Sequence, residues 1–97
     1  MDDVPHLSRK ERLILEMLIG HGEMYGLEMV KTSEGGLKRG TIYVTLSRMA
    51  DKGYVESRQV KEPGESGLPK RLFKATGYGS RIYHAWELAH ATLQGRR

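Results

Sequence analysis

Residues 37–53 read LKRGTIYVTLSRMADKG, and the fold turns on how this stretch is read. At about 100° per residue, Ile42, Leu46, Met49 and Ala50 share one stripe of a helix, and such a stripe must bury itself against the rest of a domain. The opposite side carries Arg39, Thr41, Val44, Ser47, Arg48 and Asp51. A Val among hydroxyls and guanidinium groups suits a helix lying in a DNA major groove, where a thymine methyl takes an apolar contact and base edges take hydrogen bonds. The alternative is a surface helix with one stray Val. Gly35-Gly36 before the stretch and Gly53 after it set the expected start and stop, since glycine relieves the entering turn and supplies the left-handed residue past a helix end.

Two shorter helices are expected upstream. Residues 1–7 form an acidic leader kept extended by Pro5, and little of it is expected to be rigid. Ser8-Arg9-Lys10-Glu11 is a capping box, in which the Ser8 hydroxyl accepts from the amide three residues on and Glu11 reaches back. Leu13, Ile14, Met17 and Leu18 give the helix after it a core-facing stripe, and Gly20 to Gly22 ends it. Residues 24–30 (MYGLEMV) read as the second helix, with Leu27 and Val30 or Met24 turned inward. Tyr25 sits near that helix start, where a phenol can add a hydrogen bond to a phosphate or simply rest half-buried with its hydroxyl wet. Two compact helices followed by a third make the core of a helix-turn-helix domain.

After Gly53 the period changes. Residues 54–61 (YVESRQVK) and 70–75 (KRLFKA) are β-prone and flank EPGESGLP, whose prolines and glycines force a loop. Three helices and a basic two-stranded hairpin predict a winged helix, with Lys70 and Arg71 placed for phosphate contact where the returning strand leaves the tip. Glu62 and Glu65 argue against a tip that inserts deeply among phosphates.

Charge supports that reading by its location. The 97 residues carry a formal net charge of +4, yet residues 37–75 hold nine basic and four acidic residues, so the remainder is slightly acidic. Proteins that neutralise phosphates concentrate cations on the elements that touch the backbone. Zero cysteines exclude disulfides and thiolate metal sites, and His6, His21, His84 and His90 lack the spacing that puts two on one helical face, so no metal is expected. No apolar run approaches a membrane span and no signal peptide is visible, which predicts a cytoplasmic protein. No Ser/His/Asp set, paired carboxylates or phosphate-loop pattern stands in the chain, so neither catalysis nor a cofactor is expected.

Residues 76–94 read as a fourth helix, with Gly77 and Gly79 weakening its first turn. Tyr78, Ile82, Ala85 or Trp86, Ala89 and Leu93 recur at three- and four-residue intervals. A helix appended after the wing has little domain core left to cover, so the stripe calls for a second copy of the chain. Two Trp86 rings then either pack across the axis or leave a slot between them.

Tyr25-Gly26, Gly40-Thr41-Ile42-Tyr43, Leu46, Arg48-Met49, Lys52-Gly53-Tyr54-Val55, Gly67, Pro69, Lys70-Arg71 and Ala75-Thr76 with Gly79 fall in the order and spacing of the PadR family of bacterial transcriptional regulators, which residues 8–80 resemble. The resemblance implies a winged helix, a homodimer held largely by the C-terminal helix, and repression through an inverted repeat, with Tyr43 and Tyr25 near the DNA backbone. It also extends to this chain a dimer-interface slot for flat apolar effectors near Trp86. The sequence departs from the family pattern at Arg39 and Val44, where proline is common, and at Gly77, where an acidic residue is usual.

The expected fold is therefore mainly α with a small β-hairpin, a winged helix-turn-helix over residues 8–75 with a C-terminal dimerisation helix and tail over 76–97. The expected function is sequence-specific binding of double-stranded DNA by a homodimeric repressor. Tyr25, Lys38, Arg39, Thr41, Tyr43, Val44, Ser47, Arg48, Lys70 and Arg71 form the DNA-binding set, and Tyr78, Ile82, Ala85, Trp86, Ala89 and Leu93 the dimer interface. The alternative from another class is a winged helix used for protein interaction, with Tyr43 and Val44 on a protein partner.

Overall fold

The computed structural model describes residues 6–61 and 70–95, with side chains through residue 91. Its elements are α1 (Arg9–His21), β1 (Met24–Tyr25), α2 (Gly26–Thr32), α3 (Ile42–Asp51), β2 (Val55–Val60), β3 (Lys70–Ala75) and α4 (Gly77–Gly95). The strands form one antiparallel sheet in the order β1-β3-β2, with Met24 opposite Phe73 and Ser57 opposite Phe73 on the other side. The chain is thus a winged helix with a three-stranded sheet. The predicted hairpin tip, residues 62–69, lies outside the described residues. Among the described residues no helix is long and apolar enough to cross a membrane.

The core gathers Ile14 and Leu15 from α1, Met29 from α2 and Ile42, Leu46 and Met49 from α3, all essentially sealed from solvent. Val55 and Phe73 close it from the sheet and Tyr83 from α4. Leu7 is also buried, which ties down the end of the leader that was expected to be loose. Other expectations need correcting. Ala50 is exposed, because the stripe of α3 is narrow and ends at Met49; Leu15 replaces the half-buried Leu13 on the inner face of α1. In the second helix Met29 is buried while Leu27 is 44% exposed. The reason is that Met24 and Tyr25 pair with β3 instead of helping to form α2, so the helix starts at Gly26 and its inner face rotates.

The third helix begins at Ile42, five residues later than expected. Ser33 holds the preceding turn: its hydroxyl donates to the Val30 carbonyl at 2.8 Å and accepts from the Leu37 amide at 2.9 Å, and Leu37 is buried as an anchor. Lys38, Arg39 and Thr41 therefore stand on the entering turn instead of on the helix. Past the other end, Gly53 adopts φ +81, the left-handed position expected of it.

The capping box at α1 forms as expected and does more. The Ser8 amide donates to Glu11 Oε1 at 2.9 Å and the Glu11 amide donates to Ser8 Oγ at 3.1 Å. The other carboxylate oxygen accepts from Lys52 Nζ at 2.5 Å, at the C-terminal end of α3. Burial pushes the Glu11 carboxyl up, but the Lys52 bond and charge and the Ser8 bonds outweigh it and hold it below the ordinary range.

The start of α4 is clamped to the end of α3. Thr76 Oγ1 donates to the Gly53 carbonyl at 2.6 Å and accepts from the Gly79 amide at 2.9 Å, while the Thr76 amide donates to the Tyr54 carbonyl at 3.0 Å. Gly79 is buried there, and a Cβ on it would collide with the Tyr54 carbonyl oxygen. That glycine, read from sequence as a weakness of the helix, permits the close approach. α4 then packs Tyr83, Ile82 and Trp86 on its own domain, so it covers more of the core than expected.

Two stability experiments follow. Glu11→Gln should cost ~1–2 kcal/mol in urea melts at neutral pH. Because the folded-state pKa of Glu11 is depressed, its contribution is present above the unfolded carboxylate value of about 4.3 and is lost as pH falls through the folded value, so the two proteins should converge in acid. A gap that survives acidification would assign the cost to packing. Gly79→Ala should lose ~1–3 kcal/mol through overpacking against backbone, whereas Gly77→Ala, whose new methyl meets only the Arg81 side chain at 3.6 Å, should gain up to ~1 kcal/mol of helix propensity. Equal thermal midpoints for the two would refute the clamp.

Candidate nucleic-acid interface

The outer face of α3 is set by its inner one. With Ile42, Leu46 and Met49 buried, Tyr43 and Val44 are left 50% and 52% exposed, and Ser47 and Arg48 stand beside them in solvent. Large apolar side chains held out on a helix between polar ones are a surface prepared for contact. Lys38, Arg39 and Thr41 extend this face along the entering turn, all exposed.

A groove of about 530 Å³ runs along one flank of α3, between the first turn of α2 and the sheet. It brings together four residues singled out from sequence, Tyr25, Tyr43, Lys70 and Arg71, and adds Leu27, Gln59 and Glu28, whose carboxylate caps α2 through the Tyr25 amide. Tyr25 is positioned as the last residue of β1, where its amide donates to Glu28 Oε1 at 3.0 Å, and Lys70 Nζ lies 5.4 Å from its ring centre. Arg71 is oriented by donation from Nη1 to Ser57 Oγ at 3.0 Å on the neighbouring strand. The Tyr43 ring rests on the α2 backbone: a Cβ on Gly26 would lie 2.7 Å from its Cε1 atom. The pair Tyr25-Gly26 thus has a physical sense, since the glycine is the seat of the second aromatic.

On the other flank a second groove, of about 590 Å³, runs between α3 and the start of α1. Thr41, Val44 and Arg48 line it from the α3 side and Lys10 from the α1 side. Lys38, Arg39 and Ser47 are exposed and line neither groove. Lys10 escaped the sequence reading because it stands on a helix assigned to scaffold. Its only signal was a cation in a first helical turn, where the macrodipole disfavours one.

The basic segment is not uniformly available. Arg58 is held by Glu23 in a two-point ion pair, Nε to Oε2 at 2.8 Å and Nη2 to Oε1 at 2.9 Å; the hydrogen bonds lower the Glu23 carboxyl and raise the guanidinium. Lys74 pairs with Glu56 at 3.3 Å and Lys52 with Glu11. Among the described residues Lys38, Arg39 and Arg48 enter no ion pair. Lys38, Arg39 and Arg48 thus keep their charge open around α3, while Arg58 and Lys74 on the sheet are paired. No group of three or more His, Asp or Glu among the described residues is placed to hold a metal ion.

On α4 the expected stripe divides. Tyr78 and Ala85 are exposed, as is Leu88 at 69%, whereas Ile82, Trp86 and Ala89 are half-buried. Trp86 is engaged within its own chain: the Arg12 guanidinium lies 4.9 Å from its ring, His90 stacks on it at 4.0 Å, and His90 Nδ1 is 2.9 Å from the Trp86 carbonyl oxygen. The Leu93 side chain lies outside the described residues.

A family model described as the transcriptional regulator PadR-like family matches residues 14–85. Among solved structures, a PadR family transcription regulator from Clostridium difficile R20291 is similar at 23% identity and a TM-score of 0.78, over 91% of this chain and 93% of that one. Bacillus subtilis PadR in complex with operator DNA is similar at 23% identity and a TM-score of 0.72, over 80% of this chain and 47% of that one. The YusO protein from Bacillus subtilis aligns at 13% identity with a TM-score of 0.80, over 93% of this chain and 60% of that one. No curated protein sequence matches the chain.

The seat of Tyr43 can be tested without any ligand. Gly26→Ala should leave stability within ~1 kcal/mol, since the helix gains propensity as the ring is displaced, while the NMR signals of the Tyr43 ring protons shift. Unchanged ring signals would place Tyr43 elsewhere.

Proposed function

Because the chain belongs to the PadR-like family of transcriptional regulators, we propose that it is a sequence-specific repressor that binds an inverted-repeat operator as a homodimer, with α3 entering the major groove of each half-site. The observation that carries this reading is the exposed face of α3, where Tyr43 borders one groove and Val44 and Arg48 the other, with Lys70 and Arg71 along the first and Lys10 along the second. Val44 offers a thymine methyl an apolar partner, Arg48 offers guanine a two-point donor, and Ser47 serves either strand. Tyr25, Tyr43, Lys70 and Arg71 hold the phosphates along one flank, and Lys38, Arg39 and Thr41 meet the backbone at the helix entrance. That Bacillus subtilis PadR was solved with operator DNA supports the choice of ligand.

For the dimer, the open side of α4 supplies the contact. Ala85 and Leu88 face away from the domain core, beside the open edge of Tyr78, whose ring lies 5.8 Å from that of Tyr54, and with Ala89 at their border, so a second copy can cover them without disturbing Trp86. A flat apolar effector at Trp86 would have to replace the His90 ring stacked there.

Fluorescence anisotropy on operator fragments, recovered by pull-down of genomic DNA and sequencing, tests the scheme. Arg48→Ala should cost ~1–3 kcal/mol on the operator and Val44→Ala less, with little effect on random DNA. Replacing Lys70 and Arg71 together by Ala should weaken operator and random DNA alike and flatten the salt slope by ~2. Affinity that responds weakly to salt would favour a protein partner instead. Leu88→Glu should give monomers in sedimentation and lose operator affinity, because only a dimer spans half-sites about 34 Å apart. A dimer as tight as the parent would remove this face.

A further inference from the structure

A helix of about 10–12 Å diameter fills a major groove about 12 Å wide, so both phosphate backbones run along its flanks. Of the residues expected from sequence, those assigned to phosphates beside the helix, Tyr25, Lys70 and Arg71, all lie on one flank. We propose that the groove between the first turn of α1 and α3 seats the opposite phosphodiester strand, with Lys10 as its phosphate contact and Arg48 at the junction of strand and bases. This rests on α3 being the groove-entering helix and adds α1 to the DNA-binding surface.

The placement is specific. On the helical wheel of α3, Tyr43 leans to the first groove, while Val44, Thr45 and Arg48 lean to the second, so the two grooves flank one outward face. Lys10 Nζ donates to Thr41 Oγ1 at 3.3 Å, which carries its charge off α1 and onto the entrance of α3. The bond is exposed, so the ammonium keeps donors for a phosphate oxygen. A carboxylate in this groove would repel an anion, but Glu11 is 8% exposed and its outer oxygen is held by Lys52. Lys10 and Arg48 are thus left as the net charge of the groove, and the hydroxyls of Ser8 and Thr41 lie among its walls. His6, on the rim, adds a cation only when protonated.

The test uses the full chain and a fluorescently labelled random-sequence duplex of about 30 base pairs, with affinity measured by anisotropy over a series of salt concentrations. Lys10→Gln should reduce the slope of log K against log salt by ~0.9, the value for one phosphate contact on duplex DNA, and Lys10→Arg should return it to the parent value. Lys74→Gln removes the same charge from the ion-paired outer side of the sheet and should leave the slope unchanged. A parent slope retained in Lys10→Gln overturns the assignment, and so does an equal drop in Lys10→Gln and Lys74→Gln, which would mark a general effect of net charge. Either result leaves α3 as the reading helix. Parent protein whose binding is indifferent to salt would instead overturn the proposed function itself.

Discussion

The buried carboxylate of Glu11 is the constraint on which the rest of the structure depends. A carboxylate out of water is tolerated only when its oxygens are satisfied, and here one oxygen caps α1 through Ser8 while the other holds Lys52 at the end of α3. The same junction continues outward. Lys52 is followed by Gly53 and Tyr54, whose carbonyls take the Thr76 hydroxyl and amide and so fix the first turn of α4. One polar chain therefore sets α1, α3 and α4 relative to one another around an apolar core that is itself non-directional. Position matters more than stability in this arrangement, because the outward angle of α3 decides which residues a ligand meets.

Electrostatics sorts the surface in the same way. A count of charges along residues 37–75 treats nine cations as equivalent, but Arg58, Lys74 and Lys52 each have a carboxylate at bonding distance. Exposed pairs of this kind add little stability. Their consequence is to cancel field around Arg58 and Lys74 on the sheet, while Lys38, Arg39 and Arg48 keep theirs around α3. Two of the three acidic partners, Glu11 and Glu23, come from outside the basic segment, which is why segment charge overstates what a ligand would feel.

α4 has two unlike sides. Gly79, Tyr83 and Trp86 turn to the domain, Ala85 and Leu88 turn away, and Tyr78 stands half exposed against Tyr54. Of the adjacent Ala85 and Trp86, it is Trp86 that packs within the chain, with Arg12 over the indole, while Ala85 is exposed.

What the sequence alone determined was whatever depends on neighbours along the chain. The capping box at Ser8, the left-handed Gly53, the stripe of Ile42, Leu46 and Met49, the strands around the Pro/Gly loop and the PadR resemblance all rest on local spacing, and each has its counterpart in the fold. From these came the winged helix and most of the residues around α3. Tertiary structure alone decided the features that require two distant segments to meet. Met24 and Tyr25 gave up a helical turn to pair with β3, which exposed Leu27; Gly79 proved to be a point of contact with Tyr54; and Lys10 was carried to Thr41, 31 positions away. Periodicity records which side of an element is apolar, but not which element comes to lie against it, and that is fixed only when the core closes and every buried polar group has found its partner.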